Sequence, residues 1–86
     1  MTESYYEFPC EYPIKVVGPA SNQFESKVIT IIETHVEDLP SHRISRKWSK
    51  NKKYLSLTFT IKADNLKQVE AIYKDLKTFE LVFMTL

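Results

Sequence analysis

The firmest signal along the chain is an alternation. From Tyr54 to Lys62, Leu55, Leu57, Phe59 and Ile61 fall on one side, and Tyr54, Ser56, Thr58, Thr60 and Lys62 on the other. That is the period of a half-buried strand. A second β-prone run, Tyr12-Pro13-Ile14-Lys15-Val16-Val17, stops at Gly18. Proline suits the start of a strand, and Gly18-Pro19 signals a turn. Phe24, Val28, Ile31, Ile32 and His35 then recur at helical spacing, with Asn22 and Glu25 placed as a capping box. The stretch Glu37-Asp38-Leu39-Pro40-Ser41 ends that helix, because the residue before proline is pushed out of helical geometry. His42 to Trp48 reads as a strand with Ile44 and Trp48 on one face and Arg43, Ser45 and Lys47 on the other. The polar residues Ser49 to Lys53 connect it to the alternating strand. Asp64 is placed to cap a second helix striped by Leu66, Val69, Ile72, Tyr73 and Leu76. Phe79 to Leu86 forms a last strand, apolar on both faces for most of its length. Residues 1–10 show no period and are expected to be a loose lead-in to a single domain spanning 11–86.

The order βαββαβ points to an α+β, ferredoxin-like sandwich, a four-stranded antiparallel sheet with two helices on one face. Right-handed crossovers put the first and third strands in the middle and the second and fourth at the edges.

Composition narrows the class. A chain of 86 residues, 43% apolar and 27% charged, makes one globular domain rather than a disordered segment. The longest apolar run, Leu81-Val82-Phe83-Met84, cannot span a membrane. The start, MTESYYEF, lacks the basic and apolar regions of a signal peptide. One cysteine cannot form an internal disulfide, so the expected compartment is the cytoplasm. Net charge is +1, but the distribution is lopsided. Residues 1–38 carry seven acids and two bases, and residues 39–86 carry ten bases and four acids, with six bases from Arg43 to Lys53.

Several stretches together resemble a known family. They are Phe8-Pro9 leading to Tyr12-Pro13-Ile14-Lys15-Val16-Val17-Gly18, then Leu57 to Ala63, Gln68 to Leu76, and the ending Leu81-Val82-Phe83-Met84-Thr85-Leu86. The chain resembles the YbeD family of small uncharacterised bacterial proteins from about residue 8 to the end. That resemblance implies the same βαββαβ sandwich, similar in shape to the ACT domains that act as regulatory modules, and transfers no catalytic residue. The basic stretch Arg43-Ile44-Ser45-Arg46-Lys47-Trp48 departs from the usual family look.

The reactive side chains are sparse. Cys10 sits beside Glu11 with no base to activate it. His35 lies on a helix stripe, where a half-buried structural role is the ordinary one. His42 lies seven residues on, without metal-ligand spacing. With one glycine there is no phosphate loop. These features imply no metal, no cofactor and no catalytic site, hence not an enzyme.

Three surfaces are candidates for binding. The Gly18-Pro19-Ala20-Ser21-Asn22 loop joins a turn to a helix N-terminus and would suit a small anionic effector, with Gly18, Pro19, Ser21 and Asn22 as its residues. Against this, most helix ends bind only water. Arg43, Arg46, Lys47, Trp48, Lys50, Lys52 and Lys53 form a basic patch for an acidic partner. The blander reading is that lysines guard a sheet edge. Lys53 to Phe59 lacks the glycine of an RNA-recognition strand, which makes a weak nucleic-acid contact the alternative rather than the first expectation. The open sheet face, with Tyr54, Ser56, Thr58 and Thr60 of the third strand, Pro13, Lys15 and Val17 of the first, and either the Leu81, Phe83, Thr85 set or the Val82, Met84, Leu86 set, exposes apolar groups for a protein partner or for a second copy of the chain. The expected function is a small non-enzymatic regulatory or interaction module, with no role for a membrane.

Overall fold

The computed structural model describes residues 7–37, 39–40 and 43–85 and runs β1 (Cys10–Pro19), α1 (Asn22–His35), β2 (Ile44–Trp48), β3 (Tyr54–Ala63), α2 (Leu66–Thr78) and β4 (Met84–Thr85). The sheet order is β2-β3-β1-β4, antiparallel throughout, so the expected ferredoxin-like arrangement of centre and edges holds. Both helices cover one face. Phe24, Val28 and Ile32 of α1 and Val69, Ile72 and Leu76 of α2 close over Ile14, Val16, Leu55, Leu57, Phe59 and Ile61. Each such side chain contributes about 1.5–3 kcal/mol by leaving water. Among the described residues, no helix is long and apolar enough to cross a membrane.

The structure shifts several boundaries. The first strand starts at Cys10, which pairs with Ala63, and runs through Gly18 to Pro19, which pairs with Tyr54. Gly18 is therefore not a turn residue but a buried strand residue. A Cβ there would overlap the Phe24 ring and lie 2.6 Å from the Leu81 carbonyl oxygen. Glycine is required by close packing, not by backbone angle. The chain leaves the ladder at Ala20, whose N–H donates to the Lys53 carbonyl at 3.0 Å.

The helix caps fall one residue from where the spacing put them. Ser21, not Asn22, caps α1, its Oγ accepting from the Phe24 N–H at 3.1 Å. Asn65, not Asp64, caps α2, its Oδ1 accepting from the Gln68 N–H at 2.9 Å. Gln68 in turn accepts from the Asp64 N–H at 2.6 Å and donates to the His35 carbonyl at 2.8 Å, joining the start of α2 to the end of α1.

The last strand is far shorter than the apolar run suggests. Phe79 caps α2 and stacks on Phe24 with ring centroids 6.4 Å apart, and Val82 N–H closes a turn onto the Phe79 carbonyl. Leu81 and Val82 both pack against the core, whereas Phe83 and Met84 are 57% and 52% exposed. Neither alternating set faces out; the run is a packed turn followed by a two-residue strand that pairs Val16–Val17 with Thr85 and Met84. The second strand begins at Ile44 in the described residues, and the expectations for residues 1–6, Ser41, His42 and Leu86 lie outside them.

Candidate functional site

The open face of the sheet is built by cross-strand register. Lys47 stands opposite Ser56, Ser56 opposite Val17, and Val17 opposite Met84, so one row crosses all four strands. The adjacent row is Ser45, Thr58 and Lys15. At the hairpin end, Tyr54 meets Phe83 edge-on with centroids 5.8 Å apart, and Lys53 Nζ lies 5.7 Å from the centre of the Tyr54 ring. Such contacts hold the rings in defined orientations. A concavity of about 390 Å³ opens here, lined by Lys15, Val17, Lys47, Trp48, Ser56 and Met84 among others. Trp48, Tyr54, Phe83 and Met84 are all large, apolar and exposed. In this cluster the Ser56 hydroxyl is covered from solvent yet has no hydrogen-bond partner among the described residues.

The hairpin beside this patch is organised by Ser49, a residue that no local spacing distinguishes from its polar neighbours. Its Oγ accepts from the N–H groups of Lys53 and Tyr54 at 3.1 and 3.0 Å. Lys52 takes a left-handed conformation, φ 56°, uncommon outside glycine and asparagine. That lets Lys50 and Lys52 project from the turn.

The basic cluster divides between two faces. Lys47 falls with Ser45 on the open face; Arg46 opposes buried Leu57 and lies on the helix side, and Arg43 precedes the strand at its edge. Both arginines meet acids from the first half of the chain: Arg43 Nη1 lies 2.6 Å from Glu11 Oε2, and Arg46 Nη2 lies 2.7 Å from Glu25 Oε2. The sequence-level charge asymmetry is thus partly folded away. The hydrogen bond from Arg46, with its nearby positive charge, holds the Glu25 carboxyl below its ordinary value against the opposing pull of burial; the bond to Glu25 likewise raises Arg46. Lys15, Lys47, Lys50, Lys52 and Lys53 make no ion pair among the described residues.

At the loop read as an effector site, the geometry is mostly committed to the fold. Gly18 is packed under Phe24, Ser21 caps α1, and the N–H groups of Ala20 and Ser21 bond to the Lys53 and Pro19 carbonyls. The shallow hollow there is lined by Ser21, Asn22, Glu25 and Trp48, so its charged wall is acidic. Cys10 is half-buried in the first strand. His35 Nε2 lies 2.6 Å from Asp75 Oδ2, linking α1 to α2. A further concavity of about 610 Å³ lies at the Glu11–Arg43 end with mixed charge from Glu11, Glu37, Arg43, Lys62 and Asp64. No group of three or more histidine, cysteine or acidic side chains able to hold a metal occurs among the described residues.

Fold and surface together define a small two-helix, four-strand α+β protein with an open, partly apolar sheet face. A family model described as "Protein of unknown function (DUF493)" matches residues 3–86, and the chain belongs to that family. The resemblance to the YbeD type is borne out. Among bacterial relatives, the UPF0250 protein of Hahella chejuensis is 40% identical over 80 residues, 93% of this chain and 88% of its own length. The UPF0250 protein NE1487 of Nitrosomonas europaea is 36% identical over 84 residues, 98% and 97% of the two chains. That of Azotobacter vinelandii is 41% identical over 81 residues, 93% and 88%. The solution structure of protein HP0495 from H. pylori superposes with a TM-score of 0.74 at 20% identity, covering 98% of this chain and 88% of that one. That likeness confirms the fold.

Proposed function

We propose that this chain is a small non-enzymatic interaction module that docks a partner protein on the open face of its sheet. The observation that carries the reading is the group of exposed Tyr54, Phe83 and Met84 at one end of that face, with Trp48 at the adjoining edge of the same hollow. Large apolar groups gathered in one patch mark contact surfaces more often than singly exposed ones do. The engagement of His35 with Asp75 and the placement of Cys10 in a strand support a structural use of these groups. A free cysteine supports a reducing, cytoplasmic setting.

The test is site-specific photo-crosslinking in cells. A photoreactive phenylalanine analogue at position 83 should give a discrete protein adduct, and the same analogue at Lys74, on the outer side of α2, should not. Excess unlabelled wild-type chain should compete the adduct away, while a chain carrying Phe83→Ser and Met84→Ser should not compete. Equal adducts from both positions would refute the reading.

A further inference from the structure

Resting on that reading, we propose that the partner presents an acidic polypeptide segment, with a carboxylate seated between Lys15 and Lys47 over Ser56 and an apolar anchor against Phe83 and Met84. Four observations converge. First, the register places Lys47 beside Ser56 and Lys15 diagonally across it, and both line one concavity. With strands about 4.8 Å apart, their backbones lie about 12 Å from one another, a span two lysine side chains close from either side. Second, Arg43 already holds the Glu11 carboxylate, and Arg46, on the helix side, holds Glu25, while neither lysine of the concavity holds a carboxylate among the described residues. The concavity is therefore a positive site whose complement is not supplied by the described fold. Third, the Ser56 hydroxyl at its floor is covered and without a partner among the described residues. A buried hydroxyl in that state is costly, and a carboxylate that displaces the side chains covering it would accept its hydrogen bond. Fourth, Val17, Trp48 and Met84 give the same concavity an apolar wall.

The same geometry disfavours nucleic acid. A phosphate backbone tracking the basic strand towards Arg43 would meet the Glu11 carboxylate. Its bases would have to displace Phe83 and Lys53 from the Tyr54 ring to stack on it. An acidic peptide needs neither.

The experiment is display of random twelve-residue peptides, panned on the whole immobilised chain and counter-panned on the Lys15→Glu, Lys47→Glu double variant. Both lysines are exposed, so the variant should keep the wild-type circular dichroism and melting curve. Enriched peptides should carry aspartate or glutamate beside leucine, phenylalanine or tryptophan. They should shift the amide signals of Lys15, Val17, Lys47, Ser56 and Met84. The double variant should weaken them by at least about tenfold, Ser56→Ala by about threefold, and Lys74→Glu not at all. Peptides that map to the open face but lack acids, or bind the double variant equally, would overturn the acidic partner and leave the docking face standing. No enrichment, or peptides mapping elsewhere, would overturn both. Tighter binding of mixed single-stranded RNA to the same residues at 150 mM salt would make nucleic acid the occupant. A dimer of the chain alone, lost in the double variant by sedimentation, would make it a second copy; either result refutes the proposal.

Discussion

Arg46, on the edge strand β2, reaches across to helix α1 and sets its Nη2 2.7 Å from Glu25 Oε2. The pair ties a strand with few buried residues to the helical layer. Both side chains keep some exposure, so the contact contributes roughly 0.5–1 kcal/mol rather than the several that a buried pair can move. Glu25 is the acid whose folded value is depressed from its ordinary 4.5. Its contribution is therefore complete above that pH and lost as pH falls through the lower folded value. Urea midpoints of wild type and Glu25→Gln should differ by about this amount at pH 7 and converge only once the pH has fallen below the lowered folded value, with the difference shrinking in high salt. A gap independent of pH would mean the glutamine harms the helix for another reason.

Gly18 should tolerate no side chain. Gly18→Ala places a methyl into the Phe24 ring and against the Leu81 carbonyl. Overpacking of this kind costs about 1–3 kcal/mol. Pairing it with Phe24→Leu should recover part of the loss, a non-additivity that a double-mutant cycle reads directly. Additive losses would show that the two positions do not compete for one space.

The two residues at the start of α1 should separate cleanly. Ser21→Ala removes the acceptor for the Phe24 N–H and should cost about 1 kcal/mol, while Asn22→Ala should stay within about 0.5 kcal/mol. The reverse order would restore Asn22 as the cap.

Phe79 and Phe83, four residues apart, should behave as opposites. Phe79→Ala removes the stack on Phe24 and part of the core's lid, a loss of about 2 kcal/mol. Phe83→Ser, at an exposed position, should leave chemical stability within about 0.5 kcal/mol yet weaken the unlabelled chain as a competitor of the position-83 crosslink. Destabilisation by Phe83→Ser comparable to Phe79→Ala would make that residue part of the core instead.

How far the sequence foretold this molecule depends on whether the deciding contact is local. The alternation in β3 was fully legible, because one buried face demands a period of two, and each of Leu55, Leu57, Phe59 and Ile61 is buried. The caps were legible only to within a residue. Ser21-Asn22 and Asp64-Asn65 each offer two adjacent cap formers, and the choice follows from where the chain leaves the β1–β3 ladder, at the Ala20 to Lys53 bond before α1 and after the Ala63 to Cys10 pair before α2. The C-terminal run misled because a strand buried on both sides and a packed turn share the same apolar pattern. The Arg43 and Arg46 partners lie 32 and 21 residues away, so no spacing encodes them. Of the candidate surfaces, Tyr54, Ser56, Thr58 and Lys47 were legible from strand parity. The inclusion of Lys15 and Met84 in the same hollow needed the register.

The brevity of β4 has one more consequence. Val17 directs its carbonyl to the β4 side, where it accepts the Phe83 N–H at 2.8 Å, so Glu11, Pro13 and Lys15 aim their backbone groups the same way. Along those residues no described strand lies on that side. A foreign strand laid there would find a template with its middle rung missing, since Pro13 has no N–H to offer. The proline thus leaves the central strand fully bonded to β3 while making its bare flank a poor seed for runaway sheet growth.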